Sequence, residues 1–302
     1  MGENSTETWA WAPVILLTTA AIQYTGATIA IGLFSSVAVI AVAWGRGFFG
    51  SLMLLAWRRP RVSLANAQGR RDFGHSMFYG VSIVSTNVIF YLAIARIPLG
   101  TTVALEFLGP VILATLLGTG WRVRAGIVLA ATGVFTISWI GVDTSDPQVL
   151  HGLILALLAG LCWAVYMYVG RKIAISGNGL DSLAIGMFAG SLVWLPVALP
   201  HMGPIFTDGR VLGLIVVVAL LSSVTPYAMD AVIMRRISAP TFALLNSLLP
   251  ATSLLVGLII LRQVPTVGEL SGLVLITTAV ALVNFQPFGR RKARALVQTA
   301  NE

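Results

Sequence analysis

The chain is written as apolar runs about as long as a bilayer is thick, parted by short charged or turn-rich breaks. Crossing the hydrocarbon takes about 20 apolar residues in a helix. Ten such runs stand in the sequence, at 10–31, 33–57, 75–95, 99–118, 123–142, 151–172, 182–200, 211–231, 239–260 and 267–286. Breaks such as RRPRVSLANAQGRRD, GVDTSDPQ, SGNGLD and PHMGPIFTDG separate them, and the break at Gly32 is the slightest. Charged residues are 10% of the 302, against about 25% in soluble domains. Too few polar groups exist to coat a surface facing water. The predicted class is therefore an all-α membrane protein of ten transmembrane helices, with the lipid bilayer as its first partner. The net charge of +8 sits in clusters between runs, with no basic-aromatic weave, so nucleic acid is not an expected partner. Cys162, the single cysteine, has no internal disulfide partner. Glu3 and Glu7 precede the first run without any Lys or Arg, unlike a signal peptide, so that run is expected to be retained.

Basic residues orient such a chain. With both termini cytoplasmic, the inner loops and tail hold Arg58, Arg59, Arg61, Arg70, Arg71, Arg122, Arg124, Arg171, Lys172, Arg235, Arg236, Arg290, Arg291, Lys292 and Arg294. The outer loops hold only Arg96, Arg210 and Arg262, and Arg46 lies inside the second run. A plasma-membrane protein with cytoplasmic termini is expected.

The chain also repeats itself. At an offset of 140, Arg96, Ile97, Thr101, Leu105, Leu108 and Pro110 meet Arg236, Ile237, Thr241, Leu245, Leu248 and Pro250, while Glu106 meets Asn246. The same offset aligns Gly50-Ser51-Leu52 with Gly190-Ser191-Leu192, and an offset of 146 aligns Gly126 and Leu129 with Gly272 and Leu275. Five spans is an odd number, so two such units, 1–150 and 151–302, must insert in opposite senses. Inverted repeats of this kind build alternating-access carriers, with the substrate site near the midplane.

Two charges lie where a membrane makes them costly. Arg46 stands about 15 Å from the outer end of its run, and Glu106 about 12 Å. A charge at helix centre costs about 2.5–3.5 kcal/mol on insertion scales, so such residues persist when paired or beside water. Arg46 and Glu106 either pair with each other, pinning helices together, or share a polar cavity that is the substrate site. Pro110 and Pro250 follow Glu106 and Asn246 by four residues, and each would kink its helix and release the carbonyl one turn earlier. Gln23, Asn87, Tyr91, Trp163, Tyr166 and Tyr227 are further polar candidates to line the cavity. Trp and Tyr near helix ends equally serve as interfacial anchors. Asp230 reads as a solvated end charge beside Arg235 and Arg236. His75, His151 and His201 stand singly at helix ends, so no metal is expected. No nucleotide-binding or nucleophile motif stands in a suitable context, so neither a cofactor nor an enzyme is expected, and a solute or ion gradient must drive any transport.

The segment IPLGTTVALEFLGPV resembles the fourth helix of the EamA-type drug/metabolite transporters, above all their threonine/homoserine exporter branch. Pro98, Leu99, Gly100, Val103, Ala104, Leu105, Glu106, Phe107, Gly109 and Pro110 match it. Arg46 resembles the family's second-helix arginine, and Trp163-Ala164 the start of its second repeat. Ala279, where the first repeat has Gly133, departs from the internal symmetry. The resemblance implies export of amino acids or related metabolites from the cytoplasm. On that reading a small amino acid such as threonine or homoserine is the substrate, with Glu106 facing its ammonium and Arg46 its carboxylate. Protons are a candidate coupling partner through Glu106. An exporter of broader amphiphilic drugs or nucleotide-like metabolites is the alternative within transport, and a lipid scramblase or membrane sensor the alternative outside it.

Overall fold

The computed structural model describes residues 11–60, 67–109, 111, 121–137, 140, 142–175, 179–234 and 245–284. Every regular element among them is helical. The helices are α1 (Ala12–Leu33), α2 (Val39–Arg58), α3 (Ala67–Ile94), α4 (Leu99–Glu106), α5 (Trp121–Thr136), α6 (Pro147–Ile175) and α7 (Gly179–Ala198). After a short turn comes α8, which runs as Gly209–Ala219, passes through a π turn at Leu220–Val224, and continues as Thr225–Met234. Last come α9 (Leu249–Ile260) and α10 (Val267–Asn284). Among the described residues, six of these are long and apolar enough to cross a membrane: α1, α2, α3, α6, α7 and α8.

Local chemistry explains the boundaries. Pro13 opens α1, where its missing N–H would have had no partner. The predicted break at Gly32 falls too early: Gly32 is within α1, and the chain turns over 34–38. There the Ser35 and Ser36 hydroxyls donate to the Gly32 and Leu33 carbonyls, taking up groups that the helix end leaves open. Arg59, at φ 47°, ends α2 in the left-handed region. Asp208 caps α8 by accepting from the Arg210 and Val211 amides. Arg58, at the end of α2, pairs at 2.8 Å with Asp181 in the first turn of α7. Three exposed tryptophans, Trp11, Trp57 and Trp121, stand at the starts of α1 and α5 and the end of α2. That one end, which also carries Arg58, Arg59, Arg70 and Arg71, has the aromatic belt of a membrane interface.

Lipid gives helices no hydrophobic reason to associate, so close contact depends on small residues. Gly186 and Gly190 of α7 cross α3 at Gly80; a methyl group on Gly186 would stand 2.1 Å from the Ser76 carbonyl. Alanine at these crossings would force the helices apart. The outward faces are apolar, with Leu157, Leu158 and Leu161 on α6, Leu192 and Val193 on α7, and Leu255 and Ile259 on α9 all exposed. Water would not tolerate such a surface; acyl chains do. This is a multi-pass membrane protein.

The packing has an order of its own. α3 lies against α6, and α8 against α1; α4 lies against α6, and α9 against α1. α2 meets α7, α4 meets α9 and α5 meets α10. Where α5 crosses α10, Gly133 abuts Gly272 and Gly126 abuts Ala279 and Val283.

Candidate functional site

Arg46 is 5% exposed and held by neutral groups. Its Nε donates to Ser223 Oγ at 3.1 Å, and a terminal nitrogen donates to the Ser222 carbonyl at 2.5 Å. Its guanidinium carbon lies 5.1 Å from the centre of the Tyr91 ring, a cation–π contact. The Ser222 carbonyl is free to accept because the residue four positions on is Pro226, which has no N–H to give it, and α8 widens into its π turn there. Ser222 Oγ in turn donates to the Gln23 carbonyl at 2.8 Å, tying α1 to the same knot. One arginine thus joins α2, α3 and α8, and through Ser222 also α1.

Glu106 ends the described stretch of α4 at Phe107. Val39 to Arg46 and Leu99 to Glu106 each span seven residues, so both charges lie about 10 Å below the same ends of their helices. The direct pair entertained from the sequence is absent: among the described residues no ion pair joins Arg46 to Glu106. Arg46 spends its hydrogen bonds on α8, yet its charge still acts on Glu106 through space. No described group hydrogen-bonds the Glu106 carboxyl, and the side chain is half-buried although its α4 neighbours Thr101 to Leu105 are buried. Tyr24, Tyr166 and Tyr227 lie within electrostatic reach of Glu106.

Around this pair the other candidates divide. Asn87 and Tyr91 stand one turn apart on α3, and the Asn87 amide nitrogen and Tyr91 hydroxyl are buried without a partner among the described residues. Asn87 lies beside Tyr227. Trp163 Nε1 donates to the Tyr166 hydroxyl. The Trp163 ring meets Phe107 edge-on at 4.5 Å, and Tyr166 meets Tyr79 at 6.0 Å. Gln23 joins through its backbone, with its side chain half-buried. These residues share one region. Asn246 is half-buried, but no described contact links it to Glu106.

Of the two prolines, Pro250 alone lies among the described residues. Pro250 is not inside a continuous helix: the helix stops at Ser247–Leu248 and restarts at Leu249, so Pro250 occupies the first turn of α9, where proline is tolerated. Pro110 lies outside the described residues. Its helix, however, breaks at Phe107, which is 140 residues before Ser247. Broken helices beside polar groups recur where membrane backbone lines a cavity. Asp230 also differs from expectation, being half-buried and close to Tyr79 and Tyr227; Arg235 and Arg236 lie outside the described residues.

One buried acid escaped the sequence reading. Glu269, 5% exposed, accepts from the Thr101 hydroxyl at 2.6 Å and from the Thr266 amide at 2.9 Å. Nearby, Gln263 Oε1 accepts from the Leu99 amide at 3.1 Å. Together they close the end of the bundle opposite the tryptophans, around a cavity of about 20 Å³ that has room for a single water. Thr266-Val-Gly-Glu269 has the pattern of a capping box, so the helix start was readable; its bond to α4 was not.

Known proteins resemble this chain over most of its length. Residues 150–285 match the EamA-like transporter family. The threonine/homoserine exporter RhtA of Escherichia coli (strain K12) is 34% identical over 265 residues, 87% of this chain and 88% of that protein. RhtA of Salmonella typhimurium (strain LT2) is 34% identical over 259 residues, 85% of each. A probable terminal-alkyne amino-acid exporter of Streptantibioticus cattleyicolor is 25% identical over 260 residues, 85% of this chain and 84% of that one. A solved crystal structure, 16% identical, superposes with a TM-score of 0.59 over 91% of this chain and 97% of its own, which speaks to the fold alone. The chain is a membrane transporter and not an enzyme: it belongs to the EamA-like family of the drug/metabolite transporter superfamily, in the branch of the threonine/homoserine exporters.

Proposed function

We propose that this protein exports a small amino acid of the threonine or homoserine kind from the cytoplasm, by alternating access between two oppositely inserted five-helix halves. One observation carries the substrate reading: Arg46 and Glu106 lie at equal depth, each unneutralised by the other. Arg46 is fixed by hydroxyl, carbonyl and ring, so its positive charge is left for a carboxylate. Glu106 has no described hydrogen-bond donor, so its carboxyl is left for an ammonium. An amino acid presents both. The names borne by the relatives support the same substrate class.

The packing supports the two-halves reading. Exchanging α1 with α6, α2 with α7, α3 with α8, α4 with α9 and α5 with α10 turns the α3–α6 contact into α8–α1 and the α4–α6 contact into α9–α1, and returns α2–α7, α4–α9 and α5–α10 to themselves. At the offset of 146, the pair Gly133–Gly272 exchanges with Gly126–Ala279. The Trp-bearing, arginine-rich end is then cytoplasmic, in keeping with the positive-inside rule. The aromatic walls from Phe107, Trp163, Tyr79 and Tyr166 favour a second reading, in which larger amphiphilic solutes are exported.

Efflux of labelled threonine from preloaded cells tests the proposal. Cells carrying wild type should clear label faster than the host, and Glu106→Gln should abolish the gain with the protein still in the membrane. Full efflux by Glu106→Gln removes the carboxyl from the site, and competition by amphiphilic drugs decides for the second reading. Export that is equal with and without an imposed pH gradient removes protons as the coupling partner.

A further inference from the structure

We propose that Asp230, with the rings of Tyr227 and Tyr79, forms a second subsite at the cytoplasmic mouth, which takes the substrate's ammonium before it reaches Glu106. The inference rests on the export reading above. Tyr227 and Asp230 are three residues apart on α8, so they share one helix face. Tyr227 and Tyr79 both lie within electrostatic reach of the Asp230 carboxyl. Tyr79 meets Tyr166 edge to face at 6.0 Å, and Tyr166 is joined to Trp163, whose ring touches Phe107 next to Glu106. Asp230, Tyr227, Tyr79, Tyr166 and Trp163 are all half-buried, at positions where a sealed core would hide them.

Depth sets their order. Both lie past the π turn of α8, with Asp230 about one turn further along the helix than Tyr227 and so nearer the cytoplasmic side on this reading. Glu106 lies beyond them, on the far half of the bundle. A cation leaving the cytoplasm therefore meets Asp230 first, then a run of π faces, then Glu106. Carboxylate and aromatic faces together are the chemistry that binds an organic ammonium, and the carboxylate repels an anionic solute.

Everted membrane vesicles, whose cytoplasmic face is turned outward, allow the substrate concentration at this mouth to be set directly. Asp230→Asn should raise the KM for labelled threonine by about five- to tenfold, the loss of one modest ionic or cation–π contact, with the maximal rate within about twofold. Asp230→Glu should restore the KM, and Tyr79→Leu should raise it independently. Threonine methyl ester, which keeps the ammonium and lacks the carboxylate, should compete at this face in wild type and lose potency in Asp230→Asn. N-acetylthreonine should compete in neither. Unchanged KM in both Asp230→Asn and Tyr79→Leu, with wild type active, overturns the subsite and leaves the export reading standing. Absence of threonine transport by wild type overturns both.

Discussion

Removing one hydroxyl tests whether the closed end of the bundle is a gate. Thr101 Oγ1 donates to Glu269 Oε1 at 2.6 Å, with both residues buried. Thr101→Val keeps the shape of the side chain and deletes the donor. A hydrogen bond to a charged group is worth about 1.5–3 kcal/mol, which corresponds to a roughly 10- to 150-fold change in an equilibrium. The bond ties α4 to α10, so opening this end must break it, and the variant should raise the open population by that factor. The assay is modification of a cysteine at Val103, fully buried two residues along α4, by a membrane-impermeant reagent added outside, in a Cys162→Ser background. The Thr101→Val rate should rise at least about tenfold if the bond has its usual worth. An unchanged rate together with a lower melting temperature would place the bond in the fold and not in the gate, and would refute the reasoning.

Arg46→Lys should reduce threonine efflux at least about tenfold, because an ammonium lacks the planar fork that reaches Ser223, the Ser222 carbonyl and the Tyr91 face together; transport assays on equal amounts of membrane protein measure it. Gly186→Ala should destabilise by about 1–3 kcal/mol or more, since its methyl would stand 2.1 Å from the Ser76 carbonyl and backbone cannot swing aside; melting in detergent checks this. Asp181→Asn should cost less than about 1 kcal/mol and leave efflux unchanged, because its pair with Arg58 is partly exposed to water; the same melting assay at two salt concentrations shows it.

How far the site could be read in advance depends on the range of the signal. Arg46 and Glu106 stand out because a charge inside an apolar run is costly wherever the run packs. The partners of Arg46 were another matter. Pro226, four residues after Ser222, marks a carbonyl that the regular ladder leaves open, but nothing near it says that an arginine 176 residues away takes it up. Glu269 was hidden by distance along the chain: its partner Thr101 lies 168 residues away. The break after α1 was misplaced because glycine was given more weight than the serines that cap the turn. Pro250 signalled an interruption correctly, but the helix restarts at it instead of bending through it.

The widened turn in α8 also acts as a rotational spacer. Each residue advances a helix by about 100°, and a π turn holds one more residue than an α turn. Every side chain beyond Val224 is therefore dialled round relative to an unbroken α8, Tyr227 and Asp230 among them. A single-codon deletion within those five positions would close the turn into regular helix with Tyr227 and Asp230 still on their present face, whereas winding the full sequence as unbroken α-helix would turn both away by about 100°.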